Sequence, residues 1–200
     1  VTQVQTSVKN NTAKLELSVL WESSIFNSSK PFLNEQTKIT VHPTKNGIRT
    51  IDFSISLKAL VPGLEIGGSD DLKGYGGFCA RLKLPNDMTF TSDGGPVVPQ
   101  IEQVIAGPWM DFSASFGRSG EKNGISILCH PKTPNYPAPW ILRSETSMQN
   151  VVFPGNRRIE IPMDKAITLY YRLVVHDGDV TSVNLREMQK EYEETSVNKE

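Results

Sequence analysis

Two histidines and a few carboxylates set the chemistry open to this sequence. His130 closes the run Gly-Ile-Ser-Ile-Leu-Cys-His from Gly124, and His176 closes the apolar run Ala166–His176, so each imidazole is delivered to a strand end. General acid–base catalysis needs an imidazole or a carboxylate of tuned pKa, held within reach of the reacting proton. His130 or His176 can supply the acid, with Glu35 or Asp111 as the base. Glu35 lies inside FLNEQTKITV, where it points either into a cleft or to solvent on an alternating strand. Other residues are suited to binding: the aromatic rings of Tyr75, Trp109 and Trp140, with Lys73, Arg81 and Arg143. Aromatic faces cover the apolar side of a small polar ligand, while Arg, Asp and Asn bond its polar groups. Equally, each Trp can fill a core, and Arg81 and Arg143 can pin loops by pairing with Asp111 and Glu35.

Several alternatives carry less. His130 and His176 with Asp177 or Glu35 would suit zinc or a non-haem metal, but no tight ligand spacing supports one, so neither a metal nor another cofactor is expected. His42 precedes a hairpin turn and reads as structural. Lys73–Gly77 precedes a strand rather than a helix, so no helix N-terminus backs it as a phosphate loop; its glycines permit a bulge or a close backbone approach. Cys79 and Cys129 read as small buried hydrophobes rather than a disulfide.

The elements that must position these groups are strands. Ala13–Trp21 alternates, with Leu15, Leu17 and Val19 on one face, and Trp21 is assigned to the core. Phe32–His42 and Ile48–Leu60 flank the turn signal Asn46-Gly47 and form a hairpin. Tyr75–Leu84, Met88–Thr91, Trp109–Phe116, Gly124–Cys129, Met148–Phe153 and Ala166–His176 follow as strands, and residues 1–11 read as a frayed or edge strand. Four prolines (Pro131, Pro134, Pro137 and Pro139) stiffen the loop between His130 and Trp140. Thr181–Glu194 spaces Val183, Leu185, Met188 and Tyr192 among charges, which predicts a C-terminal helix over about 180–194, with 195–200 as a disordered tail. About ten strands and one helix predict an all-β antiparallel sandwich, one domain over 1–200. In such a sandwich His130, Trp140, Arg143, Tyr75, Arg81 and His176 are expected to converge on one concave face.

Composition bounds the partners. The chain has 21 Lys+Arg against 22 Asp+Glu, too even a balance to steer it to nucleic acid. No apolar run approaches the roughly 20 residues of a membrane span. The sequence has neither an initiator Met nor a signal peptide, so the chain is expected to be a processed form or the later part of a larger domain.

Four segments together resemble one family. Lys73-Gly74-Tyr75-Gly76-Gly77-Phe78 with Arg81 is similar to its "KGYGG…R" segment, and Trp109-Met110-Asp111-Phe112 to its "W-x-D-[YF]" strand. His130-Pro131 with Pro137, Trp140 and Arg143 resembles its "HP…P-x-W…R" loop, and Arg172 with Val174–Gly178 its "R…VVHDG" ending. The family is the soluble bacterial group labelled PmoA-like, and the resemblance runs from about Leu17 to Gly178. It implies a fold similar to the galactose-mutarotase-like supersandwich, a secreted or periplasmic location and a carbohydrate ligand. It further implies either a sugar-active enzyme (a mutarotase-like isomerase, lyase or hydrolase using His130, His176 and Glu35) or a non-catalytic carbohydrate-binding or structural module. Lys73, Tyr75, Arg81, Trp109, Asp111, Trp140 and Arg143 would contact the sugar. Thr133 stands where the family usually has Asn, and a His-rich segment resembling "HHRG" near the family's N-terminus is absent, so pairing with such a segment or with another chain is expected.

Overall fold

A computed structural model describes residues 1–116, 120–145 and 148–195. Residues 196–200 of the tail expected at 195–200, and part of the polar turn at 117–123, lie outside the described residues. The chain forms β1 (Gln3–Lys9), β2 (Thr12–Trp21), β3 (Leu33–Val41), β4 (Ile48–Ala59), β5 (Glu65–Ile66), β6 (Gly77–Arg81) and β7 (Thr89–Ser92). It continues with β8 (Gly95–Pro96), β9 (Trp109–Ala114), β10 (Asn123–Cys129), β11 (Trp140–Ile141), β12 (Met148–Val152), β13 (Ile159–Glu160), β14 (Ile167–Asp177) and α1 (Leu185–Glu193). The large sheet runs β1-β2-β3-β4-β14-β10-β9-β7-β8; β11-β12-β6 forms a second, small sheet, and β13-β5 a two-stranded ribbon. Every pairing is antiparallel. The fold is all-β, an antiparallel sandwich with a short C-terminal helix.

Strand alternation sends one set of side chains between the sheets. Met110 and Phe112 of β9, Ile127 and Cys129 of β10, and Leu169 and Tyr171 of β14 meet Trp140, Leu142, Val151 and Phe153 of the small-sheet side. Phe78 of β6 stacks on Tyr171 with ring centroids 4.6 Å apart. Trp140 is fully buried in this core, and its indole N–H donates to the Gly107 carbonyl at 3.0 Å. The proline loop therefore does not bring Trp140 to an open concave face as expected. It returns the indole inward, to pack the core. Trp21 is the reverse correction: it is 38% exposed.

The opposite face of the large sheet is covered by α1. Leu185, Gln189 and Tyr192 are its buried residues, at the i, i+4, i+7 spacing of one helix face. They close over Trp109, Leu128 and Val174. Asn184 caps the helix by accepting from the Glu187 N–H at 3.2 Å. The helix is shorter than expected because Val180–Ser182 forms a separate 3-10 turn, itself capped by Asp179.

Trp140→Ala removes a fully buried indole at the centre of the sandwich. It is expected to cost about 3–5 kcal/mol of stability, read as a lower urea midpoint at unchanged m-value.

Candidate functional site

Of the sequence-predicted residues, Trp140 lies in the core and Glu35 on the inner side of its sheet; the others divide between two outward faces of the sandwich. His176 pairs with Gly124 across β14 and β10, whereas His130 follows Cys129 at the far end of β10. Six residues of strand separate the two positions, roughly 20 Å. Both imidazoles lie on the helix-covered side, but at opposite rims, so they do not converge on one site as expected.

On the helix-covered face, Asp111 has no exposed surface. Its Oδ1 accepts from Ser126 Oγ at 2.7 Å and lies 2.9 Å from His176 Nε2, and its Oδ2 accepts from Ser113 Oγ at 2.5 Å. Gly124 makes room for the ring, since a Cβ there would fall 2.2 Å from His176 Cε1 and Nε2. Burial pulls the His176 pKa down, but the hydrogen bond and charge of Asp111 outweigh it, and the pKa ends above its ordinary value. Trp109 is 5% exposed and packs under α1, so it too is core rather than a stacking platform. Beside it Arg172 grips Asp52 with Nε and Nη2 at 2.6 and 3.0 Å, His42 Nε2 lies 2.8 Å from the same carboxylate, and the guanidinium sits 4.5 Å over the Tyr192 ring. His130 is 1% exposed between Tyr170 and Tyr192, and burial pushes its pKa down. The carboxylate–imidazole pair is sealed, and it ties β9, β10 and β14 together.

Glu35 does point to the inner side of its sheet, opposite Val19 and Leu57. Both its oxygens are engaged, by Trp21 Nε1 at 2.9 Å and Thr37 Oγ1 at 2.7 Å. It meets neither histidine, so no acid and base face each other across a cleft. Among the described residues no group of three His, Cys, Asp or Glu is placed to hold a metal.

The other predicted residues collect on the outward face of the small sheet. Phe78 and Ala80 face the core, so Cys79 and Arg81 face out. Tyr75 joins them with its hydroxyl 4.0 Å from Cys79 Sγ. Partial burial, then Cys79, pushes the Tyr75 hydroxyl up. Trp140 and Leu142 likewise face the core, which sends Arg143 outward. Lys73 and Arg143 line one cleft of about 310 Å³ with Gln100, Ile101, Ser144 and Glu145.

Local chemistry fixes both cations. Asp71 Oδ1 accepts from the Lys73 and Gly74 N–H groups at 2.9 and 3.2 Å, and Ser69 Oγ accepts from the Tyr75 N–H at 2.7 Å. The hydrogen bond from Ser69 holds the Asp71 carboxyl below its ordinary range. The glycines serve close approach, as their sequence context implied: a Cβ on Gly74 would lie 2.4 Å from the Asn156 nitrogen, and one on Gly68 2.4 Å from the Gly74 oxygen. Arg143 Nη1 donates to the Gln100 and Leu142 carbonyls, each at 2.9 Å, and Nη2 to Ile101 at 3.1 Å. Arg143 thus pins a loop, but through carbonyls rather than through Asp111 or Glu35. Among the described residues its Nε–H makes no hydrogen bond and Nη2 makes one; Nε and Nη2 lie on the edge that grips a carboxylate side-on.

Sequence reasoning missed Asp52, Ser126 and Gly124. Asp52 and Ser126 could have been found as polar residues recurring on the outward phase of otherwise apolar strands. A family model matches residues 2–190, and its description is a family of unknown function, DUF6807. The chain belongs to DUF6807. No curated protein and no solved structure matches this DUF6807 member.

The two buried histidines are expected to titrate in opposite senses about the ordinary value of roughly 6.5. For His176 the folded pKa is raised, so its stabilising contribution is full below about 6.5 and is lost as pH rises through the folded pKa. For His130 the folded pKa is depressed, so stability is lost as pH falls below about 6.5. NMR titration of the ring Cε1–H signals checks both; a His176 midpoint below that of His130 would contradict the pairing with Asp111.

Proposed function

We propose that the protein is a non-catalytic carbohydrate-binding module that takes an acidic sugar on the outward face of its small sheet. The observation that carries this is Arg143, whose Nε–H and one Nη2–H have no partner among the described residues while Nη1 and Nη2 are held by three carbonyls. A guanidinium already immobilised loses little entropy on gripping a carboxylate. Lys73 lines the same cleft as a second positive charge, its ammonium only loosely tied to Asp71 at 3.9 Å. Exposed Ile101 offers apolar surface for the C–H face of a pyranose, and Gln100, Ser144 and Glu145 offer groups for its hydroxyls. The saccharide part of the proposal comes from the resemblance of the four motif segments to the PmoA-like group; the acidic part comes from Arg143.

Binding is favoured over turnover because the candidate acids and bases are sealed or dispersed. His130 and His176 are each 1% exposed, on the far side of the sandwich from the cleft, and Glu35 is engaged by Trp21 and Thr37. A proton donor that cannot reach the substrate cannot act on it.

Calorimetric titration with oligogalacturonate and with neutral galacto-oligosaccharides tests the proposal. The acidic ligand is expected to bind and the neutral one to bind far more weakly. Arg143→Ala, and also Arg143→Lys, are expected to weaken acidic binding about 10- to 100-fold, since an ammonium cannot replace the paired donors. Equal binding of acidic and neutral sugars, or cleavage or isomerisation of either, would defeat it.

A further inference from the structure

The two edges of the large sheet are built differently. At one edge β8 is two residues long and carries Pro96, which cannot donate to a neighbouring strand. At the other edge β1 runs for seven residues, Gln3–Lys9, paired among the described residues on one side only and exposed along its whole length. It has no proline, and Lys9 at its end is its single charged residue. A long, flat, unprotected edge presents a row of free N–H and C=O groups to another strand.

The pattern of β1 identifies that strand. Its sequence is Gln-Val-Gln-Thr-Ser-Val-Lys, whose polarity reads the same in both directions about Thr6. Val4, Thr6 and Val8 share the face of Leu17, Leu15 and Ala13, and the remaining four residues share the other. An antiparallel copy centred on Thr6 would set Val4 against Val8, Gln5 against Ser7 and Gln3 against Lys9, with both valine pairs on the sheet's apolar face. No like charges would stand opposite, and the two Lys9 side chains would lie at opposite ends of the ribbon, roughly 20 Å apart. The formal net charge of −1 adds little repulsion between copies.

We propose that β1 is the interface of a two-fold homodimer, in which two nine-stranded sheets join edge to edge through antiparallel β1–β1 pairing centred on Thr6. Such an interface is isologous, so it closes at two copies and leaves no further edge of this kind open. The proposal is independent of the sugar-binding cleft, which lies on the small sheet.

Sedimentation equilibrium of the wild type, Thr6→Lys, Thr6→Glu and an equimolar mixture of the two variants tests it. The Thr6 side chain is exposed, so neither substitution disturbs the fold. The wild type is expected to dimerise reversibly. Each variant places like charges directly opposite and is expected to raise the dimer Kd about fivefold or more, and the mixture, which pairs Lys with Glu, to restore dimerisation. A wild type that stays monomeric across the micromolar range overturns the proposal. So does a dimer that Thr6→Lys and Thr6→Glu leave unchanged, because its contact then lies elsewhere.

Discussion

The structure depends on one buried carboxylate. Asp111 sits on the helix side of the large sheet with no exposed surface. An unpaired buried charge would be expelled or protonated, and removing one partner of such a pair costs about 3–5 kcal/mol. Asp111 is satisfied from three adjacent strands at once: Ser113 from its own strand, Ser126 from β10 and His176 from β14. Those contacts fix the lateral register of the sheet, and a one-residue slip would carry every partner to the wrong face. The absence of a side chain on Gly124 and the closure of α1 over Trp109 and Leu128 follow from the same need, to admit the imidazole and exclude water. The motif-like segments around Asp111 and His176 thus have a structural explanation. So does Arg172, which joins β14 to Asp52 of β4 and to the Tyr192 ring of α1.

One consequence is a division between the faces of the sandwich. On the helix-covered face the Asp111–His176 pair is closed off by packing. The outward face of the small sheet keeps Lys73, Tyr75, Arg81 and Arg143 in contact with solvent, on backbone that is rigid for local reasons: an Asp71-centred turn, glycines packed against backbone, and a guanidinium clamped to carbonyls. A ligand site needs charge that is both accessible and held in place, and the outward face of the small sheet combines the two.

Much of the fold was legible in the sequence because the strand period is simple. Ile167, Leu169, Tyr171, Leu173 and Val175 alternate without interruption, and β14 is indeed the strand that joins the β4 and β10 sides of the sheet. The terminal helix was legible from the spacing of Leu185, Met188 and Tyr192. The site was not, for a topological reason. His130 and His176 both stand at the C-terminal ends of strands, and β10 and β14 prove to be antiparallel neighbours, so those ends lie at opposite rims. Nothing in either run reveals which strands will be adjacent. The burial of Trp140 was hidden similarly: a proline-rich loop reads as surface, yet β11 begins at Trp140 itself and turns the indole inward.

The most direct test of this division is a ¹H–¹⁵N chemical-shift map of the intact chain titrated with digalacturonate. The perturbations should cluster on residues 71–75, 99–103 and 141–145, with the amides of Asp111, Ser126, His130 and His176 unmoved. Shifts centred on those four residues, or no shifts anywhere, would contradict the account.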